Sequence, residues 1–84
     1  MTDIIIYTTP VCPYCVRAKD LLTRKGQKYT EIDITKSPAA MKEMLAKSKG
    51  RKTVPQIFIN GEHIGGCDDL YALESTGMLN ALLT

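Results

Sequence analysis

The stretch Val11-Cys12-Pro13-Tyr14-Cys15 decides how this chain is read. Two cysteines two residues apart lie between an apolar, β-branched run, Ile4-Ile5-Ile6-Tyr7-Thr8, and a helical pattern. If Cys12 is the N-cap, Pro13 falls at N1, where its missing N–H costs nothing and its fixed φ suits a helix. Tyr14 is then N2 and Cys15 is N3. An N-cap side chain accepts from the N2 and N3 backbone N–H groups, and here the acceptor would be sulfur. A thiolate in that place gains those donors and the positive end of the helix dipole, so the Cys12 thiol should ionise below the ordinary cysteine range. Cys15 lies one turn on, on the same face and deeper. The pair therefore reads as a redox dithiol, with Cys12 attacking and Cys15 resolving.

Working outward, the bulk properties set limits. Eighty-four residues suggest one domain, 1–84, with one modest core. A net charge of +2 and the lack of a long basic run argue against nucleic acid. Met1-Thr2-Asp3 leads straight into a strand pattern with no leader or long apolar stretch, so the expected location is cytoplasmic, with no membrane association. Three cysteines are an odd number for a secreted disulfide framework. In a reducing compartment, C-x-x-C is instead catalytic or metal-binding.

The chain in order predicts β-α-β, a second helix, a hairpin and C-terminal helices. Ile4 to Thr8 reads as a central strand buried on both faces. A helix follows from about Pro13 to Lys25, with Val16, Ala18, Leu21 and Leu22 as its apolar stripe and Gly26 at C′. Tyr29 to Ile34 alternates, as an edge or half-buried strand does. Ser37-Pro38 marks an N-cap and N1, with Met41, Met44 and Leu45 inward. After the basic loop Ser48 to Lys52 comes Gln56-Ile57-Phe58-Ile59, a second central strand. Asn60-Gly61 predicts a type I′ hairpin. Asp68 or Cys67 is expected to cap a third helix, and Met78, Leu79, Leu82 and Leu83 to face inward from a last one. His63 reads as an exposed edge-strand residue.

Three motifs in register, Cys12-Pro13-Tyr14-Cys15, Thr53-Val54-Pro55 and Gly65-Gly66-Cys67-Asp68-Asp69, carry a resemblance to the small dithiol glutaredoxins over essentially the whole chain. The resemblance implies the α/β thioredoxin fold: a four-stranded mixed sheet, two parallel strands plus an antiparallel hairpin, flanked by helices. It implies a glutathione-dependent thiol–disulfide oxidoreductase, monomeric, with glutathione as co-substrate and no tightly bound cofactor. Its other partners would be disulfide-bonded or glutathionylated proteins.

The resemblance also implies a binding site. It raises the expectation that Val54–Pro55 is cis, with the Val54 backbone free to pair with an extended peptide such as the cysteinyl part of glutathione. Gly66, Cys67, Asp68 and Asp69 would receive the γ-glutamyl end, the helix N-terminus meeting its carboxylate and an aspartate its amine. Tyr14 would cover the ligand, and Thr53 belongs to the same set. Many glutaredoxins place a lysine three residues before the first cysteine. Thr9 stands there in this chain, leaving Arg51 and Lys52 to meet the glycine carboxylate. The alternative function is a carrier of zinc or an iron–sulfur cluster using Cys12; on paper Cys15, His63 and Cys67 could complete a zinc site. A flavoprotein-reduced thioredoxin is disfavoured by the lack of tryptophan, the Pro-Tyr dipeptide and the Gly-Gly-Cys-Asp-Asp motif.

Overall fold

Alternation along two β-branched runs builds this structure, a computed structural model that describes residues 2–83. The runs form β1 (Ile4–Thr8) and β3 (Gln56–Ile59), which pair antiparallel at the centre of the sheet. Successive side chains on a strand point to opposite faces. Ile4, Ile6, Ile57 and Ile59 therefore enter one core with Ala18, Leu21, Leu22, Leu70, Leu79 and Leu83. Tyr7 and Phe58 enter the other with Met44, joined by Ile5, Ile32, Ile34, Met41 and Val54. β2 (Thr30–Asp33) runs parallel to β1 at one edge, and β4 (Glu62–Gly65) runs antiparallel to β3 at the other. Among the described residues the strand order is β2-β1-β3-β4, the mixed sheet expected. The helices α1 (Pro13–Arg24), α3 (Cys67–Ser75) and α4 (Met78–Leu83) supply the first core, and α2 (Pro38–Lys47) supplies Met44 to the second.

The turns follow local chemistry. Gly26, at φ 73°, takes the C′ position of α1. Its N–H bonds to the Thr23 carbonyl and that of Gln27 to the Leu22 carbonyl, a Schellman ending. Asn60 and Gly61 have φ of 52° and 83°, the positive pair that a type I′ turn requires. One residue of β4 is extra: Phe58 faces His63 but Ile57 faces Gly65, so Ile64 forms a bulge. The bulge lies just before Gly65-Gly66, where the chain turns into α3.

Three local expectations are corrected, and that of the Ser37 cap is met in position. Val16 is 52% exposed rather than part of the α1 stripe. Cys15, Ala18 and Leu22 hold the inward line, and Val16 is rotated about 100° from Cys15. Met78 is 58% exposed, while Leu79, Leu82 and Leu83 carry the contact of α4. Ser37 is the N-cap of α2 by position, yet its side chain makes no capping bond. The cap of α3 is Gly66, not Cys67 or Asp68, because Asp69 at N3 reaches back to the Gly66 N–H at 2.8 Å.

Leu22→Ala, in the first core, should cost about 2–5 kcal/mol, whereas exposed Val16→Ala should stay within about 0.5 kcal/mol. Urea unfolding of the two variants checks this; equal losses would mean that Val16 packs against the core.

Candidate active site

The site begins where α1 begins. Cys12 is the N-cap, with extended backbone at φ −149° and ψ 97°, and Pro13 occupies N1. The Cys15 N–H donates to Cys12 Sγ at 3.1 Å, so sulfur fills the role that a serine or aspartate oxygen fills at ordinary caps. The two cysteines are joined as a disulfide, with Cα atoms 5.2 Å apart. They are unequal. Cys15 is only 1% exposed, whereas Cys12 is half-buried and reaches the surface. Val11, Tyr14 and Val16, near Cys12 in sequence, are exposed apolar side chains.

Beside the dithiol lies the loop before β3. The Val54–Pro55 peptide is cis, and the Val54 carbonyl oxygen lies 3.8 Å from Cys12 Sγ. A cleft of about 460 Å³ opens there, lined by Tyr14, Arg51, Thr53, Val54, Pro55, Gly66, Cys67, Asp68 and Asp69. Three segments distant in sequence therefore share one surface: the start of α1, the loop into β3 and the start of α3. Thr9 and Lys52 do not line the cleft.

Charge in the cleft is organised by Asp69. Its Oδ2 accepts from the Gly66 N–H and from Arg51 Nη1 at 3.5 Å. Arg51 thus crosses from the β3 loop to the first turn of α3, in an ion pair about half exposed on each side. Gly65 is required for this arrangement. Its φ is +118°, and a Cβ there would collide with the Asp69 carboxylate. The first-turn N–H groups of α3 have no intrahelical acceptor and face an anion-favouring dipole end.

Two further residues depart from their sequence reading or were missed by it. His63 is half-buried rather than exposed, stacked on Phe58 at a centroid distance of 5.0 Å, with Nε2 2.7 Å from Gln56 Oε1. Burial holds its pKa below the ordinary histidine value, helped by the positive charges of Arg51 and Lys49 and opposed by Asp69. Gln56 is fully buried and bonds to Thr53. The one signal in sequence was a polar amide beginning an otherwise apolar strand. Cys67 is 4% exposed, and burial pushes its thiol above the ordinary range, so it lines the cleft without a ready thiolate. Among the described residues, no three His, Cys, Asp or Glu side chains gather where they could hold a metal ion; Cys12, Cys15, His63 and Cys67 do not form a four-ligand set within one chain.

A family model described as glutaredoxin matches residues 4–64. The chain belongs to the glutaredoxin family. Glutaredoxin 3 of Escherichia coli (strain K12) is 54% identical over 83 residues, spanning 99% of this chain and 99% of that protein. The solution structure of glutaredoxin from Brucella melitensis is 59% identical, with a TM-score of 0.85 over 99% of this chain and 89% of that one. The buckwheat glutaredoxin–glutathione complex is 32% identical, with a TM-score of 0.86 over 98% of this chain and 76% of that one. Family membership, with a Cys12–Cys15 pair that forms a disulfide, implies thiol–disulfide oxidoreductase chemistry, and the thioredoxin fold of these neighbours is the fold found here. The metal- or cluster-carrier reading is not favoured.

In the reduced protein, iodoacetamide at neutral pH should label Cys12 first, and Cys15 and Cys67 much later. Its rate against pH should have a midpoint below the ordinary thiol range, because the cap and dipole favour the thiolate. Mass spectrometry of early time points reads the order; early modification of Cys67, or a midpoint at the free-cysteine value, contradicts it.

Proposed function

We propose that this glutaredoxin reduces glutathione mixed disulfides and protein disulfides through Cys12 and Cys15, with glutathione as co-substrate. The observation that carries the reading is the half-buried N-cap sulfur of Cys12 lying 3.8 Å from the carbonyl of Val54, a residue that lines a cleft of about 460 Å³.

In the first step the Cys12 thiolate attacks the glutathionyl sulfur of a protein mixed disulfide, and the protein thiolate leaves and takes up a proton. A second glutathione thiolate then attacks the glutathionyl sulfur on Cys12, giving glutathione disulfide and restoring the Cys12 thiolate. On a protein disulfide, Cys12 forms a mixed disulfide with the protein. Cys15 then attacks Cys12, which releases the reduced protein and leaves Cys12–Cys15 oxidised. Two glutathiones return that bond to the dithiol. Each cycle moves two electrons from glutathione to the substrate sulfurs, and no metal or flavin is invoked.

The glutathione peptide would lie extended, its cysteinyl unit paired with the Val54 backbone as an added strand. Thr53 and Pro55 frame that edge, and the Tyr14 ring covers the ligand. The γ-glutamyl carboxylate would meet the α3 N-terminus at Gly66, Cys67 and Asp68, with Asp68 or Asp69 near the amine. Arg51 lines the cleft and is the cation best placed for the glycine carboxylate; Lys52 and Thr9 lie outside the lining. A dithiol recycled by glutathione fits a reducing compartment, so we assign the protein to the cytoplasm, as a monomer acting on disulfide-bonded or glutathionylated proteins. Among the described residues, no helix is long and apolar enough to cross a membrane.

Cys12→Ser should abolish turnover in a glutathione-coupled assay. Cys15→Ser should retain deglutathionylation and lose reduction of protein disulfides. An active Cys12→Ser enzyme, or a Cys15→Ser enzyme inactive in both assays, would overturn the assignment.

Arg51→Gln should raise the KM for glutathione about two- to fivefold, since the contact is charge-assisted but reached by water. Lys52→Gln should change it less, and Thr9→Lys should lower it modestly. The wild-type KM should rise with salt because the cation is screened. Steady-state kinetics at two ionic strengths decides; an unchanged KM in Arg51→Gln removes the cation from the site.

A further inference from the structure

Gln56 is a costly residue for its position. It opens β3, every residue of which is buried, and it is itself 0% exposed. An amide in an apolar interior is tolerated when its donors and acceptor are met. Its Nε2 donates to the Thr53 carbonyl at 3.0 Å and to Thr53 Oγ1 at 3.1 Å. Its Oε1 lies 2.7 Å from His63 Nε2. These contacts settle the proton positions. The Thr53 carbonyl can only accept, so the amide nitrogen must face it, and the amide oxygen then faces the imidazole. His63 Nε2 must therefore carry the proton. The ring is placed by stacking on Phe58, the residue it faces across the β3–β4 ladder. Its position is set just before the Ile64 bulge.

A chain of hydrogen bonds thus runs from edge strand β4, through the buried amide, to the backbone of Thr53. Thr53 is itself exposed and lines the cleft beside Val54. Neither His63 nor Gln56 lines it. We propose that Gln56 and His63 are positioning residues that hold the Thr53–Val54 backbone in the conformation that pairs with the substrate peptide, without touching substrate themselves. This inference rests on the reading that the Val54 edge receives glutathione. It assigns work to a histidine and a glutamine outside the dithiol and outside the cleft.

The chemistry of the relay suits a fixed support. Burial, with the nearby positive charges of Arg51 and Lys49, lowers the imidazole pKa and favours the neutral ring, while Asp69 opposes them. The Nε2 proton that serves Gln56 is present in the neutral ring and would remain in the cation. The loop on the other side is held independently, since Ser48 Oγ donates to the Arg51 carbonyl at 3.2 Å. Losing the relay should therefore loosen residues 53 and 54 while leaving α1, and the Cys12 cap, as they are.

The test uses His63→Phe, which keeps an aromatic ring on Phe58 but removes the N–H, and Gln56→Met, which keeps the shape but removes every polar contact. Both are assayed with a cysteine–glutathione mixed disulfide. The KM for the mixed disulfide should rise about three- to tenfold, the factor corresponding to the net worth of one ordinary hydrogen bond. The kcat and the pH profile of Cys12 alkylation should stay near wild type, because the thiolate depends on the helix cap. NMR of the free protein should show the Thr53 and Val54 amide signals shifted or broadened, with those of α1 unchanged. A residue that only supports the fold would lower thermal stability without separating KM from kcat. KM values within twofold of wild type in both variants, with Thr53 and Val54 signals undisturbed, would overturn the relay. If Gln56→Met does not fold, His63→Phe decides alone. If wild-type protein shows no glutathione turnover, the proposed function fails, and the relay is judged on the Thr53 and Val54 signals.

Discussion

The hydrogen bond from the Cys15 N–H to Cys12 Sγ is the contact on which the site depends. It makes one atom both the cap of α1 and a member of the redox disulfide. Helix N-termini leave four N–H groups without partners, and most proteins answer with a side-chain oxygen. Here the answer is sulfur, so the need of the helix for an acceptor and the need of the chemistry for a stabilised thiolate are met together. Pro13 makes this workable, since it starts the helix without adding another unmet donor. Cys15 is then carried inward by the helix it helps to cap, which separates a surface sulfur from a buried one.

The rest of the fold brings two other segments to that helix terminus. Antiparallel pairing of β1 with β3 places the loop before β3 beside the loop after β1, because the end of one strand lies next to the start of the other. The Ile64 bulge and the turn at Gly65-Gly66 then bring the first turn of α3 to the same end of the sheet. Asp69 ties the two arrivals together, capping α3 through Gly66 and pairing with Arg51. The ion pair is half exposed, so its contribution to stability is small, on the order of 0–1 kcal/mol. Its effect is geometric: it sets where the Arg51 guanidinium rests in the cleft. The resulting cleft combines a helix N-terminus, an exposed backbone edge and a guanidinium, three features that suit an extended peptide with carboxylates at both ends.

The two faces of the sheet divide the work. The larger core, under α1, α3 and α4, fixes the helices that carry the cysteines and the acidic turn. The smaller one holds Tyr7, Phe58 and Met44, with Val54 packed against it. Tyr7 bonds outward to Glu43, which also meets Lys47, so α2 is tied to the sheet by polar contacts as well as by Met44. Burial and the Glu43 contact push the Tyr7 hydroxyl above the ordinary tyrosine range, which favours the neutral donor.

Local signals were legible wherever one residue type has few alternatives. Asn60-Gly61, Gly26, Pro38 and Pro13 each name a turn or a cap, and the alternation in β1 and β3 names two central strands. With the three motifs, these sufficed for the sheet, the cysteine pair with its unequal burial, and most of the cleft lining. What failed was orientation. Val16 and Met78 are apolar residues beside positions that better fit the inward line, and a pattern of letters does not say which of two neighbours the core will take. Asp69 rather than Asp68 serves the α3 cap because its carboxylate, one turn in, can fold back over Gly66, and only the placed backbone shows that reach. His63 and Gln56 were read by strand position alone, yet they meet across two strands through a fixed register and a bulge. The sequence by itself determined the elements, the dithiol and its asymmetry, because those depend on neighbours within one helical turn. Which polar groups share a hydrogen bond across the sheet was left to the tertiary structure, because partners such as His63 and Gln56, 7 residues apart, or Thr8 and Glu31, 23 apart, come within reach only through packing.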